Sequence, residues 1–243
     1  MLTIGSLFSG IGGLEKGLED AGLGPVLWQV EISEFCRRVL TKHWPSVERF
    51  DDVREVGAAQ LVPVDIICGG FPCTDISSAG KGAGLAGERS GLWFEFARIV
   101  GELRPRWVVV ENVAGGAPWV DLVRDDLAGR GYETLPVPLS AEDVGAPHRR
   151  SRVFVVATNA LCTGLQGAEC TVTPGRPEPA DSPWTKGTAP EPDVRRVVHG
   201  VPTRMDRRMR NSRIKALGNA VVPQCAEVIG WVVRELERGR GLG

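Results

Sequence analysis

The sequence predicts an α/β fold in which a mostly parallel sheet is covered by helices on both faces. Short apolar runs alternate with stretches of helical periodicity through the first two thirds of the 243 residues. Glycines, carboxylates or a cysteine directly follow several of these runs. Repeated strand–helix units build a parallel sheet, and such sheets bind ligands beyond the carboxyl ends of their strands. We therefore expect the functional residues along one edge of the sheet.

Five apolar runs are predicted to be strands, and periodic segments between them to be helices. The strands are expected at residues 2–7, 26–30, 64–68, 107–110 and 152–157. The helices are expected at residues 14–21, 33–43, 92–103 and 119–130. Ser33 is a suitable N-cap for the second helix. Regularity returns near residue 214, and a last helix is expected from Pro223, which its first turn tolerates, to about residue 236.

The composition changes after Asn159. Residues 160–212 are rich in Pro, Gly, Thr and Arg and show little periodicity, so we expect residues 159–212 to be either a small irregular module or a partly disordered insert. A disordered linker over residues 171–193 is an open alternative. Residues 1–158 and 213–243 are then expected to form one larger domain around this small region.

The bulk composition restricts the possible classes of protein. Six scattered cysteines without paired spacing argue against a zinc site and predict a reduced, cytoplasmic chain. No run reaches the ~18 apolar residues of a membrane span, and we expect no signal peptide. The net charge is −1, but residues 195–215 are strongly basic. A basic stretch suits a phosphate backbone, although charge alone favours a solvated surface stretch.

A glycine-rich segment, LFSGIGG at residues 7–13, lies between the first strand and the first helix. Glycines let a ligand approach the backbone, and the helix start offers free N–H groups. The segment is not a complete dinucleotide fingerprint. Glu31, at the end of the next strand, suits ribose hydroxyls, and Asp52 could accept from an exocyclic amine. Together they favour an adenosine-containing ligand without a pyrophosphate, whereas each acid alone would be read as a surface carboxylate.

Three further segments carry reactive groups. Cys73 follows a strand and the rigid GGFP turn, which places a thiol at a strand end as a candidate nucleophile; Cys68, inside the apolar run, is expected in the core. Glu111 ends the strand 107–110, where partial desolvation would let it share a proton; a helix N-cap is the alternative. Arg150 and Arg152 are two residues apart, so an extended chain would put both on one face, facing a carboxylate or phosphate.

In this order, the segments resemble the DNA (cytosine-5) methyltransferase family, in a short, phage- or prophage-type member. The matching segments are LFSGIGG (7–13), PC (72–73), ENV (111–113), RSR (150–152) and GNAVVP (218–223), and the resemblance covers residues 2–158 and 214–236. It implies a Rossmann-like S-adenosylmethionine-dependent methyltransferase fold. It also implies methyl transfer to C5 of a flipped-out cytosine in double-stranded DNA, through a covalent bond from Cys73 to C6.

The resemblance assigns roles residue by residue. The implied S-adenosylmethionine site comprises Phe8, Gly10, Gly12, Glu31, Ile32, Asp52, Leu92, Asn219 and Ala220. The implied catalytic residues are Cys73, Glu111, Arg150 and Arg152, with no metal. The implied DNA contacts are Phe71, Pro72, Ser77, Arg207, Arg208 and Arg210. Glu111 would bind N3 and the amino group of cytosine, Arg152 would position the base, and Arg150 would hold the loop or a phosphate, or the two arginines would exchange roles. Residues 74–89 would form a lid over the base.

Two departures from the family pattern bear on recognition. The family usually has Gln where this chain has His148, which affects a secondary contact. The segment between Arg152 and Gly218 is short, so residues 159–212 form a small target-recognition region and we expect a short recognition sequence. Phosphate contacts from its basic end would orient the DNA without specifying bases.

The resemblance implies a bacterial or phage-infected cell, and it leaves restriction–modification, phage protection and regulation open as the biological role. We expect a cytoplasmic protein that associates with the nucleoid through DNA and acts as a monomer; a cognate restriction enzyme is an allowed partner. Four alternatives stay open. They are a tRNA cytosine methyltransferase, an enzyme that transfers a modified methyl group, a non-catalytic DNA-binding homologue and a nicotinamide-dependent enzyme. The first usually has a Cys-Phe-Thr motif, which is missing here. The missing third glycine counts against the last.

Overall fold

The computed structural model describes residues 1–72, 91–114, 118–159 and 206–240, and the structural statements below concern these residues. Seven strands form one sheet: β1 (Ile4–Leu7), β2 (Val26–Val30), β3 (Glu48–Phe50), β4 (Ile66–Gly69), β5 (Trp107–Val113), β6 (Tyr132–Leu139) and β7 (Arg152–Asn159). The helices are α1 (Gly13–Asp20), α2 (Glu34–His43), α3 (Gly91–Leu103), α4 (Pro118–Gly129), α5 (Asp206–Asn219) and α6 (Pro223–Arg240).

The strand order is β3-β2-β1-β4-β5-β7-β6. Neighbours from β3 to β5 run parallel, whereas β7 is antiparallel to both β5 and β6. The prediction of a mostly parallel α/β sheet is therefore confirmed. Because β7 runs backwards, its first residue, Arg152, lies opposite Val113 at the carboxyl end of β5. This reversal brings the start of one strand to the edge where the parallel strands end.

Helices cover both faces of the sheet. On one face, α3 and α4 pack through Trp93, Phe96 and Trp119 against β-strand side chains such as Val108 and Val110. On the other face, α1 and α6 pack over Ile4, Ile66 and Val109, among other buried residues. The central strands are apolar on both sides because neither face meets water. Because the side chains of the central strands are buried on both faces, polar functional groups lie at the ends of these strands.

Two strands and the start of one helix differ from the sequence-based expectation. β6 carries Pro136 and Pro138, which weaken a strand signal, but it lies at the sheet edge, where proline is tolerated. β3 is an edge strand of only three residues. α5 begins at Asp206, inside the segment expected to be irregular. The sequence did not indicate this helix because its residues are mostly polar and form no apolar stripe. Residues 160–205 lie outside the described residues, so the proposed limits of the small region stay a prediction.

One helical stretch, Asn211–Gly239, is long and apolar enough by composition to cross a membrane. Residues 220–222 interrupt it between α5 and α6. α6 packs against α1, and Ala226, Ile229 and Val233 are fully buried there. Core helices commonly have this composition, and we attribute the apolar character of α6 to this packing.

Candidate active site

The glycine-rich loop follows β1 and turns into α1 through left-handed backbone. Phe8, Gly10 and Gly12 have φ angles of 55°, 58° and 87°. The Glu31 carboxylate, at the end of β2, accepts a hydrogen bond from the Gly10 N–H at 2.7 Å and from the Ser33 N–H at 2.8 Å. Glu31 therefore joins the glycine-rich loop to the start of α2. This agrees with the expectation that residues beyond neighbouring strand ends meet at one edge of the sheet.

The ends of β2 and β3 offer an apolar surface beside an ionised acceptor. Ile32 is 69% exposed, which is unusual for a large apolar side chain. Asp52 follows β3 and accepts hydrogen bonds from Arg54, which lower the pKa of its carboxyl group. Phe8 stacks on Phe96 with ring centroids 6.5 Å apart. An apolar surface with acceptors at its edge is suited to a purine and its ribose.

A cleft opens beside the glycine-rich loop. It is lined by Ser6, Phe8, Ser9, Gly10, Ile11, Gly13, Leu14, Glu15, Gly69, Gly70, Glu111, Asn219, Ala220 and Val221. A side-chain carbon at Gly13 would overlap the carbonyl oxygen of Val221, so this glycine lets the segment before α6 close one wall. Gly12 serves a different purpose, because its missing side chain makes room for the ring of Trp44. The cleft thus joins the predicted Asn219 and Ala220 to the loop.

Glu111 also lines this cleft and is 6% exposed. The Arg152 Nε lies 2.8 Å from Glu111 Oε1, but its N–H does not point well at that oxygen, so we describe an ion pair. Burial raises the pKa of Glu111, and the charges of Arg152 and Arg150 partly oppose this rise. A buried carboxyl group with a raised pKa can hold a proton and deliver it to a bound base.

Arg150 is placed differently from the expected two-arginine clamp. The assumption of an extended chain at Arg150 is wrong, because Arg150 precedes β7 and has a φ of 37°. Its Nη2 donates to the carbonyl oxygens of Gly218 (2.8 Å) and Ala220 (2.5 Å). Arg150 thereby holds the segment between α5 and α6, while its charge still acts on Glu111.

Asn112 is a positioning residue to which the sequence analysis gave no role. Its Nδ2 donates to the Phe71 carbonyl oxygen at 2.9 Å in a buried hydrogen bond. It therefore fixes the chain just before Pro72. The sequence feature that could have indicated this role of Asn112 is its place next to Glu111 in the ENV segment (111–113). The expected DNA contact by the Phe71 side chain is not supported, because this ring is 2% exposed and packs against Trp93 and Trp119.

Several predicted residues cannot be placed. Cys73, Ser77 and the proposed lid lie outside the described residues, as do the side chains of Arg207, Arg208 and Arg210. Leu92 lies in the first turn of α3 and packs, partly buried, against the core cluster that contains Trp93 and Phe96. The described residues therefore bring Glu111 and the glycine-rich loop into one cleft, and the segment before Cys73 ends at Pro72, which is exposed.

Comparison with known proteins gives a family match over most of the chain. A family model described as C-5 cytosine-specific DNA methylase matches residues 2–170. Type II methyltransferase M.Eco47II of Escherichia coli is 34% identical over 174 residues, covering 67% of this chain and 41% of that protein. Type II methyltransferase M2.BsuMI of Bacillus subtilis is 32% identical over 166 residues, covering 65% of this chain and 42% of that protein. The chain spans about half the length of these curated relatives.

Solved structures share the fold. A protein described as a DNA modification methyltransferase encoded within an E. coli prophage has a TM-score of 0.55 and 28% identity, covering 66% of this chain and 47% of that one. The Entamoeba histolytica methyltransferase EhMeth has a TM-score of 0.60 and 19% identity, covering 69% of this chain and 55% of that one. At that identity the second likeness concerns the fold alone. The Rossmann-like fold of these methyltransferases is the one that the sequence predicts.

Proposed function

The chain belongs to the C-5 cytosine-specific DNA methylase family, and on that premise we propose that it methylates C5 of a flipped-out cytosine in double-stranded DNA, using S-adenosylmethionine. The observation that carries this proposal is the position of Glu111. It is a buried carboxyl group with a raised pKa, paired with Arg152, in a cleft that the glycine-rich loop also lines. Such a carboxyl group can hydrogen-bond the N3 edge of a cytosine.

The described residues fit the proposed methyl donor. Glu31 has carboxylate lone pairs left for ribose hydroxyls in addition to the two backbone N–H groups it accepts. Ile32 and Asp52 would contact the adenine, and Asn219 and Ala220 would contact the methionine side. S-adenosylmethionine supplies an electrophilic methyl group on a sulfonium centre when it is bound. The chain's own task is to make cytosine C5 nucleophilic beside that group.

The proposed chemistry begins with the Cys73 thiolate, which adds to C6 of cytosine and forms a carbon–sulfur bond. The electron pair of the C5–C6 double bond moves toward the N3 edge, where Glu111 stabilises the developing charge by hydrogen bonding. C5 then attacks the methyl carbon, and the methyl group's former bonding pair stays on sulfur. Loss of the C5 proton to a base restores the double bond and expels the thiolate. Arg152 keeps Glu111 in place through these steps.

The wider setting is also proposed. We infer that the protein acts as a monomer on DNA in the cytoplasm, and that residues 159–212 recognise a short target sequence. The curated relatives have type II names, which supports a role in restriction–modification and a cognate restriction enzyme as a partner. The Pro-Cys-Thr and Glu-Asn-Val segments support an active enzyme over a non-catalytic DNA-binding homologue, because a pure binder needs neither group.

A nucleoside assay tests the proposed function. The protein is incubated with unmethylated duplex DNA and a donor labelled in its methyl group, and the digested DNA is analysed by mass spectrometry. We expect labelled 5-methyldeoxycytidine. Glu111→Gln should lower the rate by about 10²–10³-fold, since it loses one preorganised group at the developing charge. The matched control is Glu142→Gln, a partly exposed carboxyl group paired with Arg149.

Three outcomes would contradict the proposal. The first is DNA binding without any labelled nucleoside, which would indicate a non-catalytic homologue. The second is label in transfer RNA but not in DNA, and the third is an unchanged rate in Glu111→Gln. Transfer of a modified group is tested separately, in digested DNA from cells that express the chain, where a nucleoside heavier than 5-methyldeoxycytidine would show it.

A further inference from the structure

Glu15 is a buried carboxyl group that the proposed chemistry leaves without a task. It is the third residue of α1, has no exposed surface, and lines the cleft beside the glycine-rich loop. Neither of its oxygens makes a well-formed hydrogen bond. The hydroxyl groups of Ser6 and Ser9 and the amide of Gln29 lie near enough to lower its pKa somewhat. The amide of Gln29 also lacks a well-formed partner.

Among the described residues, none of the groups that shift the pKa of Glu15 is a cation. From β1 and its loop it faces Ser6 and Ser9, and from β2 it faces Gln29, none of which titrates. From β4 it faces the Cys68 thiol, whose own pKa is raised by burial and by the Glu15 charge, so this thiol stays neutral. Glu111 lines the same cleft and is a second acid. A buried carboxylate with no cation beside it is costly, and this one borders the proposed donor site.

We propose that Glu15 is the counter-charge for the cationic sulfonium end of the methyl donor, and that it makes the cleft prefer the donor over the product. This inference rests on the proposed function. S-adenosylmethionine has a sulfonium cation that S-adenosylhomocysteine, a thioether, lacks; their other charged groups are the same. An anion in a poorly solvated site acts more strongly on a nearby charge than it would in water. Glu15 would therefore favour release of the product after each transfer.

The same argument couples donor binding to a proton. Burial raises the pKa of Glu15 to about 6. A cation bound beside it favours the ionised form and lowers that pKa, so donor binding at acidic pH releases a proton. At pH 5 only about one tenth of Glu15 is ionised before binding, so the donor Kd should be about ten-fold higher at pH 5 than at pH 7.5. The product Kd should change much less.

Calorimetry tests this inference without an activity assay. S-adenosylmethionine and S-adenosylhomocysteine are titrated separately into the full chain between pH 5 and 8, in buffers of different ionisation heat. We expect proton release with the donor that approaches one proton near pH 5, and little with the product. Glu15→Gln should remove the pH dependence and narrow the preference for the donor. Glu227→Gln should keep both, because Glu227 has a raised pKa but does not line the cleft.

Each outcome bears on the inference. Equal pH dependence for donor and product, no proton release by the wild-type chain, or an unchanged pH dependence in Glu15→Gln would overturn it while leaving methyl transfer intact. The wild-type proton count stands even where the variant fails to fold. Failure of the donor to bind at any pH would instead overturn the proposed function together with this inference.

Discussion

Replacing Glu15 by Gln should stabilise the free protein at neutral pH. The pKa of Glu15 is raised from 4.5 to about 6 because the carboxyl group is fully buried. The folded chain therefore binds more protons than the unfolded chain between these two values. Stability falls as the pH rises through this window, and above it the ionised carboxylate costs about 2 kcal/mol, from a difference of about 1.5 pKa units at ~1.36 kcal/mol each.

Glutamine keeps the shape of the side chain and removes the charge, so it should remove this cost. We expect Glu15→Gln to be about 2 kcal/mol more stable than the wild type at pH 7.5 and equally stable near pH 4, where both side chains are neutral. Urea unfolding at the two pH values, without donor, measures the difference. A variant that is less stable at pH 7.5, or a difference that does not vary with pH, would refute the reasoning. Glu227→Gln, whose carboxyl group is less buried, should show a smaller gain.

Two further substitutions test how the cleft walls are held. Arg150→Met loses two hydrogen bonds to the segment between α5 and α6, and should lower the free energy of unfolding by about 2 kcal/mol and raise the donor Kd in calorimetry. Arg149 is exposed, and Arg149→Met should change neither quantity. Equal effects of the two substitutions would contradict the view that Arg150 holds the segment between α5 and α6. Gly17→Ala would overlap the Pro223 carbonyl oxygen and should cost about 1–3 kcal/mol in urea unfolding. Gly129→Ala has free space, and a loss as large there would contradict this.

The sequence predicts the central sheet well because its strands are continuous apolar runs. The predicted strand at 64–68 overlaps β4 (Ile66–Gly69), and the one at 107–110 lies within β5, where burial on both faces leaves a strong local signal. β6 was missed because Pro136 and Pro138 argue against a strand unless its edge position is known. That position depends on pairing with β7, a contact between segments distant in the chain. Local patterns cannot supply it.

The candidate site shows the same division. Glu31 and Glu111 follow strands directly, so the strand ends alone placed them at one edge of the sheet. Arg150 donates hydrogen bonds to Gly218 and Ala220, which are 68 and 70 positions away in the chain. No local feature of the sequence around Arg150 indicates these bonds. Glu15 reads as an ordinary acid in the first turn of a helix. Its burial follows from the close approach of α1 to β1, β2 and β4.

Trapping the proposed covalent bond tests the central claim most directly. The chain is incubated with S-adenosylmethionine and a long duplex in which every cytosine carries fluorine at C5. After methyl transfer, C5 has no proton to lose, so the bond from Cys73 to C6 should persist. We predict a protein–DNA adduct that withstands denaturation, joins one chain to each trapped cytosine through the peptide containing Cys73, and is missing in Cys73→Ser. An active enzyme that forms no adduct, or an adduct at another residue, would contradict the account.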